Sequence, residues 1–556
     1  MEKLRLIVSN GRYSLGDGLK TWLNDESLSR FKEEFTHYHR QATSQRHLIL
    51  GAGDLSWVPE TDQVFIIYEP NHKIIEDLQQ AFPERSACSK IKLVSNMDQL
   101  RPILHDTDEN IVKSMGTFSF SSYAQRYPDL VQKLSVQADH ANAQARLQKI
   151  ALREITNKQF QAAKNLSLVL QRPYSHWMNL LFQNVPAVIV GAGPSLDYVI
   201  PILKKYQDSI FIFSTFTSTK SLVQAGISPH FVVSLEHRYL RYASNGVATE
   251  HIDLLASSWT HPNSLSENYR SQTMLAHDAD PFFHLLFPNA NFPTLCAGAN
   301  VSCSALLLAC YMGMNPIILA GQDLGYRSGK TYAQGSNYGS FKYQISKSSD
   351  GVTYIEFPDQ PHITKTLDKL SSQDSRPGEQ FTRRSVVPVP SSTNETVYAT
   401  FQHTFARQWL EEFAKRPKAV SGKLQLFNAS QGGGIIQGFE DIELGSFMES
   451  YENPLRSAGA MLHRARAMHQ DEGLPSLEAQ VNCIDTLQKY ATYLRQRSIR
   501  ALDDKFQELD RLFFPSLILC RGYLNDKEMD ELEVAQNKLA DILLQSIQKI
   551  RLEHLK

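Results

Sequence analysis

The stretch Pro186-Ala-Val-Ile-Val-Gly191-Ala-Gly193-Pro194-Ser195-Leu-Asp197 decides the fold. Its apolar run (Val188, Ile189, Val190) stops at Gly191, passes through Gly193, Pro194 and Ser195, and then takes up helical spacing. That order predicts a buried strand, a tight glycine turn and a helix start. Gly191 and Gly193 allow the backbone to lie close to a ligand. Pro194 suits the first turn of a helix, and Ser195 offers a hydroxyl there. The N–H groups at such a helix start form an anion site. A bare strand–turn–helix corner fits the same residues, and the rest of the chain favours the ligand.

Outward from this corner, strand and helix alternate. Residues 210–213 follow the first helix, 220–225 form a short helix ended by Gly226, and 231–235 read as the next strand. Residues 274–276 are a weaker strand, and an uncharged helix near 303–312 leads into a strand at 317–320. Such alternation predicts an α/β fold built on a doubly wound, mostly parallel sheet. The expected domains are an N-terminal α/β unit at 1–150, a helical connector at 151–184, a central domain at 185–444 and a C-terminal helical bundle at 445–556. A lid-like insert is expected near 342–392, where loops rich in Ser and Pro interrupt the central domain. Helix is expected over 397–413 and strand over 424–428. In the last segment Met529, Leu532, Leu539, Ile542, Leu543, Ile547 and Ile550 fall on one helix face, a packing or oligomer surface.

The composition is that of a soluble globular protein, with 42% hydrophobic and 21% charged residues. Fifty-seven Lys and Arg against 58 Asp and Glu leave a net charge of −1. That balance argues against a nucleic-acid partner and against a polybasic membrane anchor. Residues 288–322 carry no charge and are long enough to span a membrane. Gly313 and Asn315-Pro316 interrupt them, so a buried helix followed by a buried parallel strand is expected instead. The charged N-terminus lacks the apolar core of a signal peptide. The six cysteines, Cys88, Cys296, Cys303, Cys310, Cys483 and Cys520, form no Cys-x-x-Cys pair. Core thiols in a reducing cytoplasm are expected.

Candidate chemistry gathers at the predicted strand ends, which face the ligand crevice in an open α/β sheet. These ends are Gly191 to Ser195, Ser214-Thr215, Glu236-His237-Arg238 and Gly321-Gln322-Asp323-Leu-Gly-Tyr326. A second glycine turn, Gly298-Ala-Asn300-Val-Ser302, precedes the uncharged helix. Asp323 either is half-buried and bonded to backbone or meets a ligand hydroxyl. Glu236 is a candidate general base or ribose ligand, and His237 and Arg238 candidates for a phosphate or a sugar carboxylate. His261 is a further candidate proton acceptor. No carboxylates show metal spacing, so no obligatory metal or cofactor is expected. Helix-start N–H groups and side-chain donors would then stabilise a leaving group bearing one phosphate, such as CMP. In the N-terminal unit, strands at 47–51, 64–69 and 91–95 surround the turn Gly51-Ala-Gly53-Asp54, with Glu69 ending the second strand. The third glycine of a dinucleotide fingerprint is missing and Asp54 would repel phosphate, so a structural relic is favoured.

Four segments in order resemble the motility-associated factor (Maf) glycosyltransferases. They are residues 186–197, Gly226-Ile-Ser-Pro-His-Phe-Val-Val-Ser-Leu-Glu236, Ala320-Gly-Gln-Asp-Leu-Gly-Tyr326 with Gly335-Ser336, and Asn428-Ala-Ser-Gln-Gly-Gly-Gly-Ile-Ile-Gln-Gly438. His230 stands where the family carries Asp. The central domain of that family in turn resembles bacterial sialyltransferases and 6-hydroxymethylpterin pyrophosphokinase-like proteins. The resemblance implies transfer of a nonulosonic acid, of pseudaminic or legionaminic type, from a CMP-sugar to Ser or Thr of flagellin. It implies that Gly191, Gly193, Pro194 and Ser195 hold the nucleotide phosphate. Asn300, Ser302, Gln322 and Asp323 would surround the nucleotide or sugar, with Thr215, His237, Gly298 and Tyr326 as further substrate contacts. Glu236 and Asp323 are the expected catalytic carboxylates. A non-catalytic escort for flagellin and a pterin pyrophosphokinase-like enzyme are the alternatives, and a homo-oligomer is compatible with either.

Overall fold

Two all-parallel sheets carry the described parts of the chain, one in each of two compact units. The computed structural model describes residues 5–9, 12–16, 21–23, 25–42, 44–105, 115–237, 247–276, 280–290, 300–327, 329–336, 342–347, 353–356, 383–393, 395–416, 424–451, 457–496, 509–510, 513 and 526–554. Arg238, Cys296, Gly298, Cys520 and most of the expected insert lie outside these residues, as does the Met529 side chain. One unit comprises Met1–Ile150, Ile345–Glu356 and Gln380–Val387; the other comprises Ala151–Gln344, Phe357–Glu379 and Pro388–Lys556.

In the first unit, β1 (Arg46–Leu50), β2 (Val64–Tyr68), β3 (Ile91–Val94) and β4 (Met115–Ser119) lie in the order β3-β2-β1-β4. The first three are the expected strands. The fourth, Met-Gly-Thr-Phe-Ser, has no apolar run to announce it. A small antiparallel sheet of Arg5–Ser9, Arg12–Gly16 and Thr21–Leu23 was likewise not anticipated.

The second unit holds the larger sheet. Its strands are β5 (Ala187–Val190), β6 (Phe211–Thr215), β7 (Phe231–Ser234), β8 (Asp253–Ala256), β9 (Ser271–Met274), β10 (Ile317–Ala320), β11 (Leu426–Asn428) and β12 (Glu440–Asp441). All pair in parallel, in the order β9-β8-β7-β6-β5-β10-β11-β12. Alternate side chains explain the apolar runs. Ala187, Ile189, Phe211, Phe213, Phe231, Val233, Ile317 and Leu319 share one core with the helix Val301–Tyr311. Val188, Val190, Ile212 and Ile318 share another with Leu196–Tyr206. A sheet covered on both faces has no polar side to show. The uncharged stretch is thus the expected buried helix and strand, with the free thiols of Cys303 and Cys310 on the helix. No helix among the described residues is long and apolar enough to cross a membrane.

Three elements differ from expectation. The strand expected at 274–276 begins three residues earlier, at Ser271–Met274. Residues 397–413 are not one helix: Val397–Ala399 is a strand, and Thr400 caps the helix Phe401–Lys415 in a capping box with His403. β8 was unforeseen because it opens on Asp253, a charge that Arg270 and Arg466 hold at 2.7 and 3.1 Å. The C-terminal helices Leu477–Gln496 and Asp526–His554 pack together. Their apolar residues, Leu487, Tyr490, Leu494, Leu539 and Leu543, share one core with Val232, Leu254, Ala256 and Met274 of the sheet.

Candidate functional site

The order of the large sheet reverses between β5 and β10. From β5 the chain steps out to β9, then returns to the far side of β5 as β10 and goes on to β11 and β12. Connections that leave in opposite directions open a crevice at the carboxyl edge, where parallel sheets bind ligands. The turns bordering it are Gly191–Ser195 and Gly321–Tyr326, two of the stretches singled out from the sequence.

These turns are locked to each other. The Gly191 N–H donates to the Ala320 carbonyl and the Gly193 N–H to the Gly321 carbonyl, each at 2.8 Å. The Asp323 carboxylate accepts from the Ser195 N–H, at 3.1 Å to each oxygen, and from the Ser195 hydroxyl at 2.6 Å. A Cβ built on Gly191 would overlap the Gln322 amide, and one on Gly193 the Asp323 carboxylate. Both glycines are therefore required by the approach of the second turn. The anion position expected at Ser195 is filled by the protein's own carboxylate, and Ser195 is fully buried. Burial pushes the Asp323 carboxyl above the usual carboxylate range, against the pull of Ser195 and Arg327. Asp323 is thus a positioning residue whose oxygens touch the turn and Arg327.

Gln322 extends the lock sideways. Its side-chain amide donates to Ser302 Oγ at 2.6 Å, and its backbone N–H donates to Ser430 Oγ at 2.8 Å. Asn300, half-buried, caps the helix that starts at Val301, its Oδ1 accepting from the Cys303 N–H at 2.9 Å. Asn300, Ser302 and Gln322 are therefore brought together beside Gly191. The late glycine motif joins them, since the Gly434 N–H donates to the Asp323 carbonyl at 2.8 Å. Tyr326 is buried, pairs with Tyr398 and lies against His403 and Tyr343. Arg327, which no motif marked, donates to Asp323 at 3.2 Å.

Glu236, His237 and His261 form a separate group at the ends of β7 and β8. The Glu236 carboxylate lies 3.5 Å from His237 Nδ1, and its backbone carbonyl accepts from the His261 N–H at 3.1 Å. Glu236 is 28% exposed whereas Asp323 is 1%, so Glu236 is the carboxylate a substrate can reach. His261 Nδ1 accepts from the Asn263 N–H at 3.1 Å, which leaves the proton of the neutral ring on Nε2. Burial, Lys164 and His237 lower its pKa. Thr215 caps the helix Phe216–Gln224 with Ser218. His230, at the opposite end of β7 from this edge, accepts from the Ile212 N–H, and burial holds its pKa down at about 3.

In the first unit the N-terminal glycine turn is filled from within. Glu69 is buried and accepts from the Tyr123 hydroxyl at 2.6 Å, the Asn71 N–H at 3.1 Å and the Ala52 N–H at 3.2 Å. The Tyr123 ring lies where a Cβ on Gly51 would point. Burial pushes the Glu69 carboxyl up to about 7. Among the described residues, no group of three or more His, Cys, Asp or Glu side chains is placed to hold a metal ion in either unit.

Residues 160–329 match the family model described as 6-hydroxymethylpterin diphosphokinase MptE-like. A 61-residue stretch, 11% of this chain, is 34% identical to an uncharacterized protein of Treponema pallidum (strain Nichols), and the match spans 29% of that relative's length. The solved structure of a MAf glycosyltransferase from Magnetospirillum magneticum AMB-1 aligns with 99% of this chain and 91% of its own, at 15% identity and a TM-score of 0.45. The expected likeness of the central domain to 6-hydroxymethylpterin diphosphokinase-like proteins is thus found over residues 160–329, the segment that contains every strand-end residue from Gly191 to Tyr326.

Proposed function

We propose that this chain is a glycosyltransferase that moves a nonulosonic acid, of pseudaminic or legionaminic type, from its CMP ester to Ser or Thr of flagellin, with no obligatory metal. The observation that carries the reading is convergence. Motifs at 186–197, 320–326 and 428–438, far apart in sequence, are joined by hydrogen bonds at one switch point, and Glu236 follows β7 on the same edge. In the proposed step the acceptor hydroxyl oxygen attacks the anomeric carbon as the bond to the phosphate oxygen breaks. CMP leaves with the electron pair, and the hydroxyl proton passes to the Glu236 carboxylate.

Purified protein, CMP-sugar and unmodified flagellin are expected to yield flagellin heavier by one sugar. Glu236→Gln removes the proton acceptor while keeping the shape, and is expected to lower the rate by about 10²–10⁴. Full activity in that variant overturns the assignment of Glu236. Absence of transfer from any CMP-sugar overturns the reaction.

A second reading, a non-catalytic binding protein, is favoured by one observation: the turn N–H groups and Asp323 are consumed within the protein. On that reading wild-type protein binds flagellin without modifying it, and Glu236→Gln binds equally well.

A further inference from the structure

Arg327 is a buried cation with one firm partner and one loose one. Its Nε donates to Asp323 at 3.2 Å, its Nη1 lies 3.4 Å from the Glu395 carboxylate, and the Tyr198 ring stands 5.8 Å from its guanidinium carbon. A Cβ on Gly432 would overlap Nη1, so the 430–434 glycine loop presents bare backbone where the guanidinium passes. The Arg327 side chain is only 7% exposed.

The two carboxylates are not equivalent. Asp323 is enclosed and also holds Ser195, so it cannot leave without breaking the lock between the turns. Glu395 is 51% exposed where Asp323 is 1%, and its contact with Arg327 is the longer of the two. Water screens the Glu395 end of the pair, which weakens it. An arginine already shielded from water, with its plane fixed by Asp323 and Tyr198, is organised to take a flat or tetrahedral anion on its outer nitrogens. Tyr198 itself is 60% exposed beside it.

We infer that Arg327 is an anion-binding residue of the switch-point crevice, and that Glu395 is an internal stand-in displaced by an anionic group of the ligand, a phosphate or a carboxylate. The inference rests on reading that crevice as the ligand site, not on the identity of the donor. It makes the charge missing from the Ser195 turn available one turn away.

Calorimetric titration with inorganic phosphate, CMP and N-acetylneuraminic acid tests it on wild-type protein, Glu395→Gln and Arg327→Lys. Removing the stand-in is expected to tighten binding by about 3- to 5-fold. Arg327→Lys is expected to weaken it by about tenfold or more. Tightening confined to phosphate and CMP identifies the group as a phosphate; tightening confined to the sugar acid identifies a carboxylate. Glu395 lies at the surface, so the sign of its effect stands even where an Arg327 variant folds poorly. Binding of all three ligands that is the same in wild type and Glu395→Gln overturns the inference and leaves the donor reading intact. Phosphate binding that tightens in Glu395→Gln without any preference for CMP upholds the inference and overturns the nucleotide donor. Absence of binding to all three proteins overturns the inference.

Discussion

A methyl group at residue 193 would share space with the Asp323 carboxylate. Gly193→Ala must therefore push the two turns apart, at an expected cost of about 1–3 kcal/mol of stability. Asp323→Ala is expected to cost more, about 3–5 kcal/mol, because it takes the buried acceptor from Arg327 Nε, the Ser195 N–H and the Ser195 hydroxyl. Chemical denaturation measures both, and midpoints equal to wild type would show that the lock carries no load. The same contacts explain what was legible in the sequence. Glycines, Ser195 and Asp323 marked these two turns because protein packing and ligand binding demand the same residue types at a strand end. Sequence could not show that the carboxylate would occupy the anion position itself, since the two turns lie 128 residues apart. Arg327 gave no signal at all: one arginine after a tyrosine has no meaning until Gly432 and Glu395 are seen around it.

At the scale of elements, the apolar strands were readable because a sheet buried on both faces leaves runs such as Val188 to Val190. β8 was not, since Asp253 hides it until Arg270 and Arg466 supply its counter-charge. The short helix Pro281–Leu286 shows how such hidden polar groups shape behaviour. Asp280 caps it, Oδ1 accepting from the Phe282 and Phe283 N–H groups at 2.8 and 3.1 Å, while Oδ2 is buried without a hydrogen bond. Burial pushes this carboxyl up to about 6, with the two N–H groups pulling the other way. A pKa raised on folding gives stability that is complete below the unfolded value, near 4, and is lost as pH rises through the folded value. Asp280→Asn keeps the cap and carries no charge. Its stability relative to wild type is therefore expected to rise between pH 4 and pH 7, by on the order of 3 kcal/mol. Denaturation midpoints of the two proteins across that range measure it, and a difference independent of pH would contradict the titration.

The C-terminal helices are part of the central unit's core at the scale of the whole molecule. Leu487, Tyr490, Leu494, Leu539, Leu543, Ile547 and Ile550 are buried in one cluster with Val232, Leu254, Ala256 and Met274 of the sheet. Burying each large apolar side chain contributes about 1.5–3 kcal/mol, whereas a whole domain is stable by only about 5–15 kcal/mol. Truncation after Ser476 removes seven of these residues and uncovers the sheet behind them, so the loss exceeds the total. Such a protein is expected to be insoluble, or to bind a hydrophobic dye without a cooperative melting transition. The β7–β8 edge carrying Glu236 would lose its backing, while the lock between Gly193 and Asp323 rests on other clusters. A truncated protein that melts cooperatively at the wild-type temperature would mean that the helices sit on a core already complete without them.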